Sequence, residues 1–413
     1  MPRRSFRQVR RQVWLLSATA SAVLLSGCGQ LGGLLPTSSP GEKPLAAPTT
    51  PVQQTPIGGQ ASGSTIGTGP VRIALILPLT GPGGPSVVGQ SLRNAAELAL
   101  AESQSPDVTI LVKDDRSTPE GARDATSQAI SEGAEIVLGP LFAANLKEAG
   151  RVARAAKRPI IGFSTDTSAA APGVYELSFL IESYVDRIVD FAGAKGKKSF
   201  AALVPENDYG NIALAEFQQA AARAGVRVQT IERYQAATVD AAALKIAALG
   251  GQVDALFIPD QADGMAAVAK ALSAAGIDSR KMQILGTGVW NDARVLKYPA
   301  LQGAWFATPE NAGFNAFAAR YRAKFNADPT RIATLSYDAV SLAAALARTQ
   351  GASRYSDQVL TNNSGFNGAD GVFRFRGDGQ NERGLAVLQI GNGTVSTISP
   401  APRNFSATAT ASR

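Results

Sequence analysis

The sequence contains no histidine and a single cysteine, Cys28, in 413 residues. Without histidine, Ser-His-Asp and Cys-His triads, histidine metal sites and imidazole acid–base catalysis are excluded. A single cysteine excludes a disulfide within the chain and a thiolate zinc cluster. What is present is a 45% hydrophobic composition, which is typical of a globular protein.

Most of the chain also has little net charge. The formal net charge is +7, from 40 basic and 33 acidic residues. Five of the basic residues lie in the first 28 residues, which contain no acidic residue: Arg3, Arg4, Arg7, Arg10 and Arg11. The remaining 35 basic residues face 33 acidic ones. This near balance argues against a nucleic-acid partner.

Residues 1–28 have the pattern of a lipoprotein signal peptide. After the basic start, the 13 apolar or small residues at 13–25 form about 20 Å of helix, too short for the roughly 30 Å core of a bilayer. They lead into Leu25-Ser26-Gly27-Cys28, which resembles a lipobox, so that Cys28 is the predicted lipidation site. An ordinary cleavage site followed by a buried cysteine is the alternative. The pair Arg3-Arg4 leaves twin-arginine export open beside general secretion.

Two segments have the composition of flexible chain. Residues 29–70 are rich in Gly, Pro, Ser and Thr, and we expect a tether with a relaxed span of roughly 35 Å. Residues 400–413 are again small and polar, and we expect a disordered tail.

The body of the chain alternates short apolar runs with helical patterns. Residues 71–77 (VRIALIL) form a continuous apolar run, and a helical pattern follows at residues 87–103. The alternation recurs in two similar series and ends with strands at residues 371–375 and 384–390. Short buried strands between helices predict an α/β fold with parallel sheets covered on both faces. Two such series predict two lobes with a cleft between their strand ends.

Patterns for catalysis, metals and nucleic acid are weak. The carboxylates of Asp114 and Asp115 could hold a metal or act in acid–base chemistry, but no third ligand is near, and a capped turn is the alternative. The glycine-rich residues 79–84 lack the lysine of a P-loop. The FRFR run at residues 373–376 is more typical of an edge hairpin than of a nucleic-acid surface. The sequence therefore predicts no catalytic residue, metal, cofactor or nucleic-acid partner.

Several phrases resemble type I periplasmic binding proteins of the leucine/isoleucine/valine kind. They are residues 71–82 (VRIALILPLTGP), 113–115 (KDD), 139–141 (GPL), 159–161 (PII), 208–210 (DYG) and 337–339 (YDA). The resemblance implies a two-lobed fold in which each lobe is a parallel sheet flanked by helices, with three crossover segments. We place the crossovers near residues 179–182, 286–290 and 368–371. Lobe 1 then comprises residues 71–180 and 289–369, and lobe 2 comprises residues 181–288 and 370–399.

The resemblance breaks at the ligand site. Amino-acid binders of this family hold the ligand carboxylate with a serine four residues after the glycine of the Gly-Pro motif, and with a Ser-Ala-Thr loop. Here these positions read Ala143 and Ser164-Thr165-Asp166. A carboxylate at Asp166 would repel that of the ligand by roughly 4 kcal/mol at about 4 Å. We therefore expect ordinary α-amino acids to be excluded from the cleft.

Four phrases are also similar to penicillin-binding protein activators (LppC-like lipoproteins) of the same fold: residues 139–142 (GPLF), 160–166 (IIGFSTD), 285–290 (LGTGVW) and 370–375 (DGVFRF). This resemblance implies a non-catalytic protein, lipid-anchored at the periplasmic face of the cell envelope, that docks on a peptidoglycan synthase. Since Gly29 follows Cys28, it implies the outer membrane rather than the inner one.

Two classes of function follow from these resemblances. The first is a docking module that activates a peptidoglycan synthase, and it predicts an exposed patch away from the cleft. The alternative is the solute-binding subunit of an ABC importer, with a permease as partner and an atypical small-molecule ligand. It predicts convergence of candidate residues in the cleft: Thr80, Ala143, Ser164, Thr165, Asp166, Tyr209, Asp260 and Asp292.

Overall fold

The computed structural model describes residues 64–405. The predicted signal peptide with Cys28, most of the predicted tether and residues 406–413 lie outside the described residues. Between residues 64 and 405, no helix combines the length and the apolar character needed to cross a membrane.

The chain builds two lobes in four segments. The first forms most of lobe 1: β1 (Thr65–Gly67), β2 (Val71–Leu77), β3 (Thr80–Gly81), β4 (Gly84–Pro85), α1 (Val87–Ser103), β5 (Val108–Asp114), α2 (Pro119–Ser131), β6 (Ile136–Leu138), α3 (Ala143–Ala155), β7 (Ile160–Gly162) and β8 (Val174–Glu176). The second forms most of lobe 2: α4 (Ile181–Ala194), β9 (Ser199–Pro205), α5 (Asp208–Arg223), β10 (Arg227–Tyr234), α6 (Val239–Ala247), β11 (Ala255–Phe257), α7 (Met265–Ala274), β12 (Gln283–Gly286) and β13 (Trp305–Thr308). The third returns to lobe 1: α8 (Asn311–Phe325), α9 (Ala333–Thr349), α10 (Asp357–Leu360), β14 (Phe366–Gly368), β15 (Gly371–Phe375) and β16 (Asn381–Arg383). The fourth completes lobe 2: β17 (Ala386–Gly391) and β18 (Thr394–Ser399).

Each lobe is organised around one main sheet. In lobe 1 the strand order is β1-β5-β2-β6-β7-β8, parallel except for β1. In lobe 2 the order is β10-β9-β11-β12-β13-β17-β18, with β17 and β18 antiparallel. Apolar clusters lie on both faces of each sheet. The predicted two-lobed α/β fold is confirmed.

Local sequence signals explain where several elements begin. Strand β2 buries six of its seven residues, as expected for a parallel strand covered on both faces. Helix α1 begins after Ser86, whose hydroxyl accepts a hydrogen bond from the Gly89 amide at 3.0 Å. Helix α2 begins in the same way after Thr118, with Pro119 at its first position.

The second and third crossovers differ from the sequence prediction. The chain stays in lobe 2 beyond residues 286–290, because Trp290 and Leu301 pack in the lobe 2 core and β13 pairs with β12. It crosses between β13 and α8. The third crossover is not at residues 368–371, because Phe373 and Phe375 pack in the lobe 1 core; the chain crosses after β16. Residues 289–308 therefore belong to lobe 2, and residues 370–383 belong to lobe 1.

Parts of the predicted tether and tail are ordered. Strand β1 pairs antiparallel with the edge strand β5, and its Ile66 packs against the lobe 1 core. After β18 the chain turns back toward lobe 1. The ring of Phe405 is buried there and lies 4.6 Å from the guanidinium of Arg374. The segment from residue 400 to 405 is thus a fourth contact between the lobes, not a disordered tail.

Candidate functional site

A cavity of about 820 Å³ lies between the two lobes, at the carboxyl ends of their parallel strands. Lobe 1 and the first crossover contribute Leu141, Phe142, Phe163, Thr165, Ser178, Phe179, Asn311, Phe314, Asn315, Arg331, Ile332 and Leu335. Lobe 2 contributes Ile181, Tyr184, Tyr209, Gly288, Val289, Asn291, Asp292 and Thr308. A ligand in this cavity would therefore contact both lobes.

Aromatic side chains form part of the cavity wall. Its six aromatic residues are Phe142, Phe163, Phe179, Tyr184, Tyr209 and Phe314. The hydroxyl of Tyr209 lies 2.7 Å from the hydroxyl of Thr287, which fixes the ring on the lobe 2 side. Burial raises the pKa of Tyr184 to about 12, so this residue presents a neutral phenol. Flat apolar surfaces with a few hydroxyl and amide groups are typical of a small-molecule pocket.

The N-terminus of helix α3 is held at the cleft by a buried contact. Asp115 is fully buried and accepts hydrogen bonds from the side-chain amide of Asn145 at 2.9 Å and the backbone of Ser117 at 2.8 Å. Burial raises its pKa. The helix begins after Phe142, which makes no side-chain cap, and Ala143 occupies its first turn without lining the cavity. The first amides of α3 are thus left without a side-chain cap.

Thr80 has a structural role next to the cleft and does not line it. Its backbone amide and hydroxyl both donate to the Asp114 carboxylate, at 3.1 and 2.5 Å. Asp114 also accepts from the amides of Leu79 and Arg116, at 3.0 and 2.8 Å. Of the two adjacent carboxylates, Asp114 therefore stabilises the loop that contains Thr80, and Asp115 binds the side chain of Asn145 in helix α3.

Only the middle residue of the Ser164-Thr165-Asp166 loop faces the cavity. The hydroxyl of Ser164 accepts from the Asp166 amide at 3.0 Å. The Asp166 carboxylate accepts from the Ser168 hydroxyl at 2.6 Å and lies 3.9 Å from the ammonium of Lys147. The Ser168 hydrogen bond is the main reason that the pKa of Asp166 is lowered. Because Asp166 lies outside the lining, its expected repulsion of amino-acid ligands has no basis in this geometry.

The three lobe 2 candidates are divided in the same way. Tyr209 and Asp292 line the cavity. Asp260 lies in a separate cavity of about 470 Å³ near the ends of β9 and β10. There it accepts a hydrogen bond from the hydroxyl of Tyr234 at 2.6 Å, and burial raises its pKa. The eight predicted residues thus contribute three to the cleft: Thr165, Tyr209 and Asp292.

A charged group at the floor of the cleft was not predicted from the sequence. Arg331 lines the cavity and donates to the Asp370 carboxylate through Nη1 at 2.9 Å and Nη2 at 2.7 Å. The side chain of Asp370 is fully buried, and that of Arg331 is 40% exposed. Asp370 begins the segment at residues 370–375 that resembles penicillin-binding protein activators. Its partner Arg331 is 39 residues away in the sequence, so no local pattern connects the two.

Stacked aromatic rings hold this arginine in place. The guanidinium of Arg331 lies 4.6 Å from the ring centres of both Phe179 and Phe314. The ring of Phe179 also lies 4.8 Å from the guanidinium of Arg383, which in turn is 5.5 Å from Phe373. The five side chains form an alternating aromatic and cationic ladder beside the first and third crossovers. Such contacts orient a guanidinium strongly.

A second buried ion pair lies behind the ladder. The guanidinium of Arg383 is 3.9 Å from the carboxylate of Asp338, and both side chains are almost completely buried. Burial raises the pKa of Asp338 to about 7. Across residues 64–405, no three carboxylate, cysteine or histidine side chains are grouped to hold a metal ion.

The geometry matches an established family. The sequence matches the family described as periplasmic binding protein over residues 70–394. The chain belongs to this family. Its members are periplasmic and are typically solute-binding proteins without catalytic activity. No curated protein matches the chain in sequence.

Solved structures show the same fold. A Rhodospirillum rubrum protein assigned to branched-chain amino acid ABC transport is 20% identical, with a TM-score of 0.69 over 79% of this chain and 99% of its own. An ABC transporter solute-binding protein from Rhodopseudomonas palustris BisB5, in complex with 3,4-dihydroxybenzoic acid, is 20% identical, with a TM-score of 0.56 over 81% and 98%. The Streptococcus pneumoniae protein LivJ, in complex with isoleucine, is 21% identical, with a TM-score of 0.55 over 80% and 99%.

Proposed function

We propose that this chain is the solute-binding component of an ABC importer and that the cavity between the lobes holds its ligand. The cavity supports this proposal, since its volume of about 820 Å³ falls within the range of small-molecule sites. Both lobes line it, so a bound ligand would favour one arrangement of the lobes over others. A permease can then distinguish the loaded protein from the empty one.

The lining favours a ligand with a flat or branched apolar body. Six aromatic side chains contribute to the wall, and the uncharged polar groups are mainly hydroxyls and amides. Two of the similar structures hold small ligands with an aromatic or a branched apolar body, 3,4-dihydroxybenzoic acid and isoleucine. These two compounds, with further aromatic and aliphatic acids and amides, form the first panel to test.

Thermal unfolding of the purified body with each compound tests the proposal. A ligand at about 100 times its Kd adds about 2.7 kcal/mol of stability and raises Tm by several degrees in a protein of this size. Asn315→Trp fills the cavity from helix α8 and should abolish the shift. Ala316→Trp, at the next and exposed position outside the lining, should retain it.

The outcome contradicting the proposal is equally clear. If no compound of the panel raises Tm, or if Asn315→Trp responds as the unmodified protein does, the cavity is not the ligand site.

A second candidate function is activation of a peptidoglycan synthase. It is supported by the resemblance of four sequence segments to penicillin-binding protein activators, and the structure brings residues of these segments to the cleft. Leu141, Phe142, Phe163 and Gly288 line the cleft, and Asp370 lies directly behind Arg331. These residues therefore lie at the cleft and not on the patch away from it that a docking module predicts, and Phe142 and Ala143 stand where amino-acid binders have a hydroxyl. Micromolar binding of the purified body to a bifunctional peptidoglycan synthase would support this function, and its absence would contradict it.

The predicted lipid anchor belongs to both functions. We propose that Cys28 is acylated and holds the protein at the periplasmic face of the cell envelope, in the outer membrane for the docking function. Cys28→Ala should move the protein from the membrane fraction to the soluble periplasm, and a variant that stays in the membrane fraction would refute the lipobox.

The tether separates the two functions. A docking protein anchored in the outer membrane must reach a partner in the opposite membrane, whereas an importer subunit anchored beside its own permease does not need this reach. Deleting about 20 residues between Leu34 and Gly58 should abolish the phenotype of a docking protein, because effective concentration falls when a linker cannot span its sites. Full complementation by the shortened chain would favour the importer function.

A further inference from the structure

The cleft contains one cation with an unused hydrogen-bonding edge. Among the described residues that line the cavity, only Arg331 and Asp292 carry a formal charge. Arginine has five N–H donors. Three of those of Arg331 are engaged, by the two oxygens of Asp370 and by the hydroxyl of Thr334 at 3.4 Å.

The two remaining donors lie side by side. They are Nε–H and the second hydrogen of Nη2, which share one edge of the guanidinium and match the two oxygens of a carboxylate. The rings of Phe179 and Phe314 each lie 4.6 Å from the guanidinium, and Asp370 occupies the adjoining edge between Nη1 and Nη2. Arg331 lines the cavity and its side chain is 40% exposed, and no described residue accepts a hydrogen bond from this donor edge.

The charge around Arg331 is also compatible with an anion. Arg331 and Arg383 supply two positive charges at the floor of the cleft, against the carboxylates of Asp370 and Asp338. Burial raises the pKa of Asp338 to about 7, so this carboxyl is partly protonated at neutral pH. Nη1 and Nη2 of Arg383 are buried without a hydrogen-bond partner. Burial also lowers the pKa of Arg383, so two cations and two carboxylates balance closely, and a ligand carboxylate at Arg331 meets no excess of negative charge.

The single anion of the lining is already engaged. The Asp292 carboxylate accepts from Nη2 of Arg294 at 2.9 Å and from the Arg294 backbone amide at 2.8 Å. These hydrogen bonds are the main cause of its lowered pKa. An α-ammonium group would have to compete with Arg294 for this carboxylate. The described lining therefore offers a cation to a ligand carboxylate, whereas its one carboxylate is already engaged by Arg294.

We propose that the cleft takes a small carboxylic acid with an apolar or aromatic body and no ammonium group, whose carboxylate binds side-on to Nε and Nη2 of Arg331. The inference rests on the proposed solute-binding function and names its ligand class. The six aromatic side chains of the wall contact the body of the acid. Ordinary α-amino acids bind weakly because the one carboxylate of the described lining, Asp292, is already engaged by Arg294.

Calorimetry with matched ligands tests this inference. The panel consists of benzoate and 3,4-dihydroxybenzoate, the two corresponding amides, and the amino acids isoleucine and phenylalanine. We expect the amides to bind about 100-fold more weakly than the acids, since two charge-assisted hydrogen bonds are lost. The amino acids should bind at least about 10-fold more weakly than the acids.

A paired substitution separates the site from general electrostatics. Arg331→Met with Asp370→Leu removes both charges together, so that no buried carboxylate is left unpaired. This variant should lose the preference for acids over amides. The matched control is Arg320→Met with Glu102→Leu, which removes an ion pair of 2.8 Å between α8 and α1 outside the lining. The control should retain the full preference.

The outcomes are distinguishable. Equal binding of acids and amides, tight binding of the amino acids, or an acid preference that survives in the Arg331 variant each overturns the inference while leaving a solute-binding function. If no member of the panel binds, the proposed function fails and the inference fails with it. If the Arg331 variant does not fold, the comparison of acids with amides on the unmodified protein decides alone.

Discussion

Two buried carboxylates near the first crossover have opposite surroundings. Asp370 and Glu176 are each at most 1% exposed. Asp370 accepts two hydrogen bonds from the guanidinium of Arg331. Both carboxylate oxygens of Glu176 lack a hydrogen-bond partner, and its charged neighbours include the acidic Asp166 and Glu182. Equal burial therefore has different consequences in the two regions.

The difference shows that a buried carboxylate depends on the partners around it as well as on its burial. Burial, followed by the repulsion of Asp166 and Glu182, raises the pKa of Glu176 to about 8. Glu176 thus keeps its proton at neutral pH. The Asp370 region instead presents an ion pair, and the free edge of Arg331 remains available for a ligand. The two regions thus differ in whether a cation is paired with the buried carboxylate.

The largest loss of stability is expected when the Asp370 region is made to resemble the Glu176 region. Arg331→Ala leaves Asp370 buried without its cation, as Glu176 is. We expect the free energy of unfolding at neutral pH to fall by about 3–5 kcal/mol, because an unpaired buried charge is costly. Urea unfolding measures this change. The combined Arg331→Met and Asp370→Leu variant should lie much closer to the unmodified protein, and equal losses in both would contradict the interpretation.

The pairing of Arg331 with Asp370 also marks the limit of what the sequence predicts. Strand β2 follows from the continuous apolar run at residues 71–77, and helix α2 from Thr118 and Pro119, because these signals are local. Whether β13 belongs to lobe 1 or to lobe 2 depends on whether Trp290, which precedes it, packs in the lobe 2 core. That contact is tertiary, and no periodicity in the sequence encodes it.

The candidate site was predictable to the level of loops and not of side chains. Parallel strands place the loops after β7, β9 and β12 at the cleft, and Thr165, Tyr209 and Asp292 do line it. Ser164 and Asp166 lie in the same loop, but their side chains form local turn contacts. Short polar side chains often bond to nearby backbone in this way, and the sequence does not show which of them will.

A somewhat smaller effect on stability is expected from a substitution of Glu176, and it depends on pH. Because its pKa is higher in the folded protein than in the unfolded chain, the folded protein binds more protons between about pH 4.5 and about pH 8. This contribution to stability is present below that window and is lost as the pH rises through it. Glu176→Gln cannot titrate. Between about pH 5.5 and about pH 7.5, stability should therefore fall by about 3 kcal/mol less in Glu176→Gln than in the unmodified protein.

Urea unfolding at several pH values measures this difference in slope. Burial also raises the pKa of Asp186 and Asp338, each to about 7. Their contributions have the same sign but are present in both proteins, so the comparison isolates Glu176. The matched control is Glu120→Gln, at an exposed position in the first turn of α2, which should leave the slope unchanged. Identical slopes for Glu176→Gln and the unmodified protein would contradict the raised pKa.

The smallest expected effect comes from a carboxylate that is paired but not buried. Glu382 lies 2.6 Å from Nη2 of Arg374, and the two side chains are 37% and 28% exposed. Water competes for both groups, so Glu382→Gln should cost less than about 1 kcal/mol in urea unfolding. The loss should shrink in about 1 M salt, where the screening length falls to about 3 Å. A loss of stability as large as that of Arg331→Ala, or one that salt does not change, would contradict this expectation. It would show that the ion pair stabilises the fold to the same extent whether or not its carboxylate is buried.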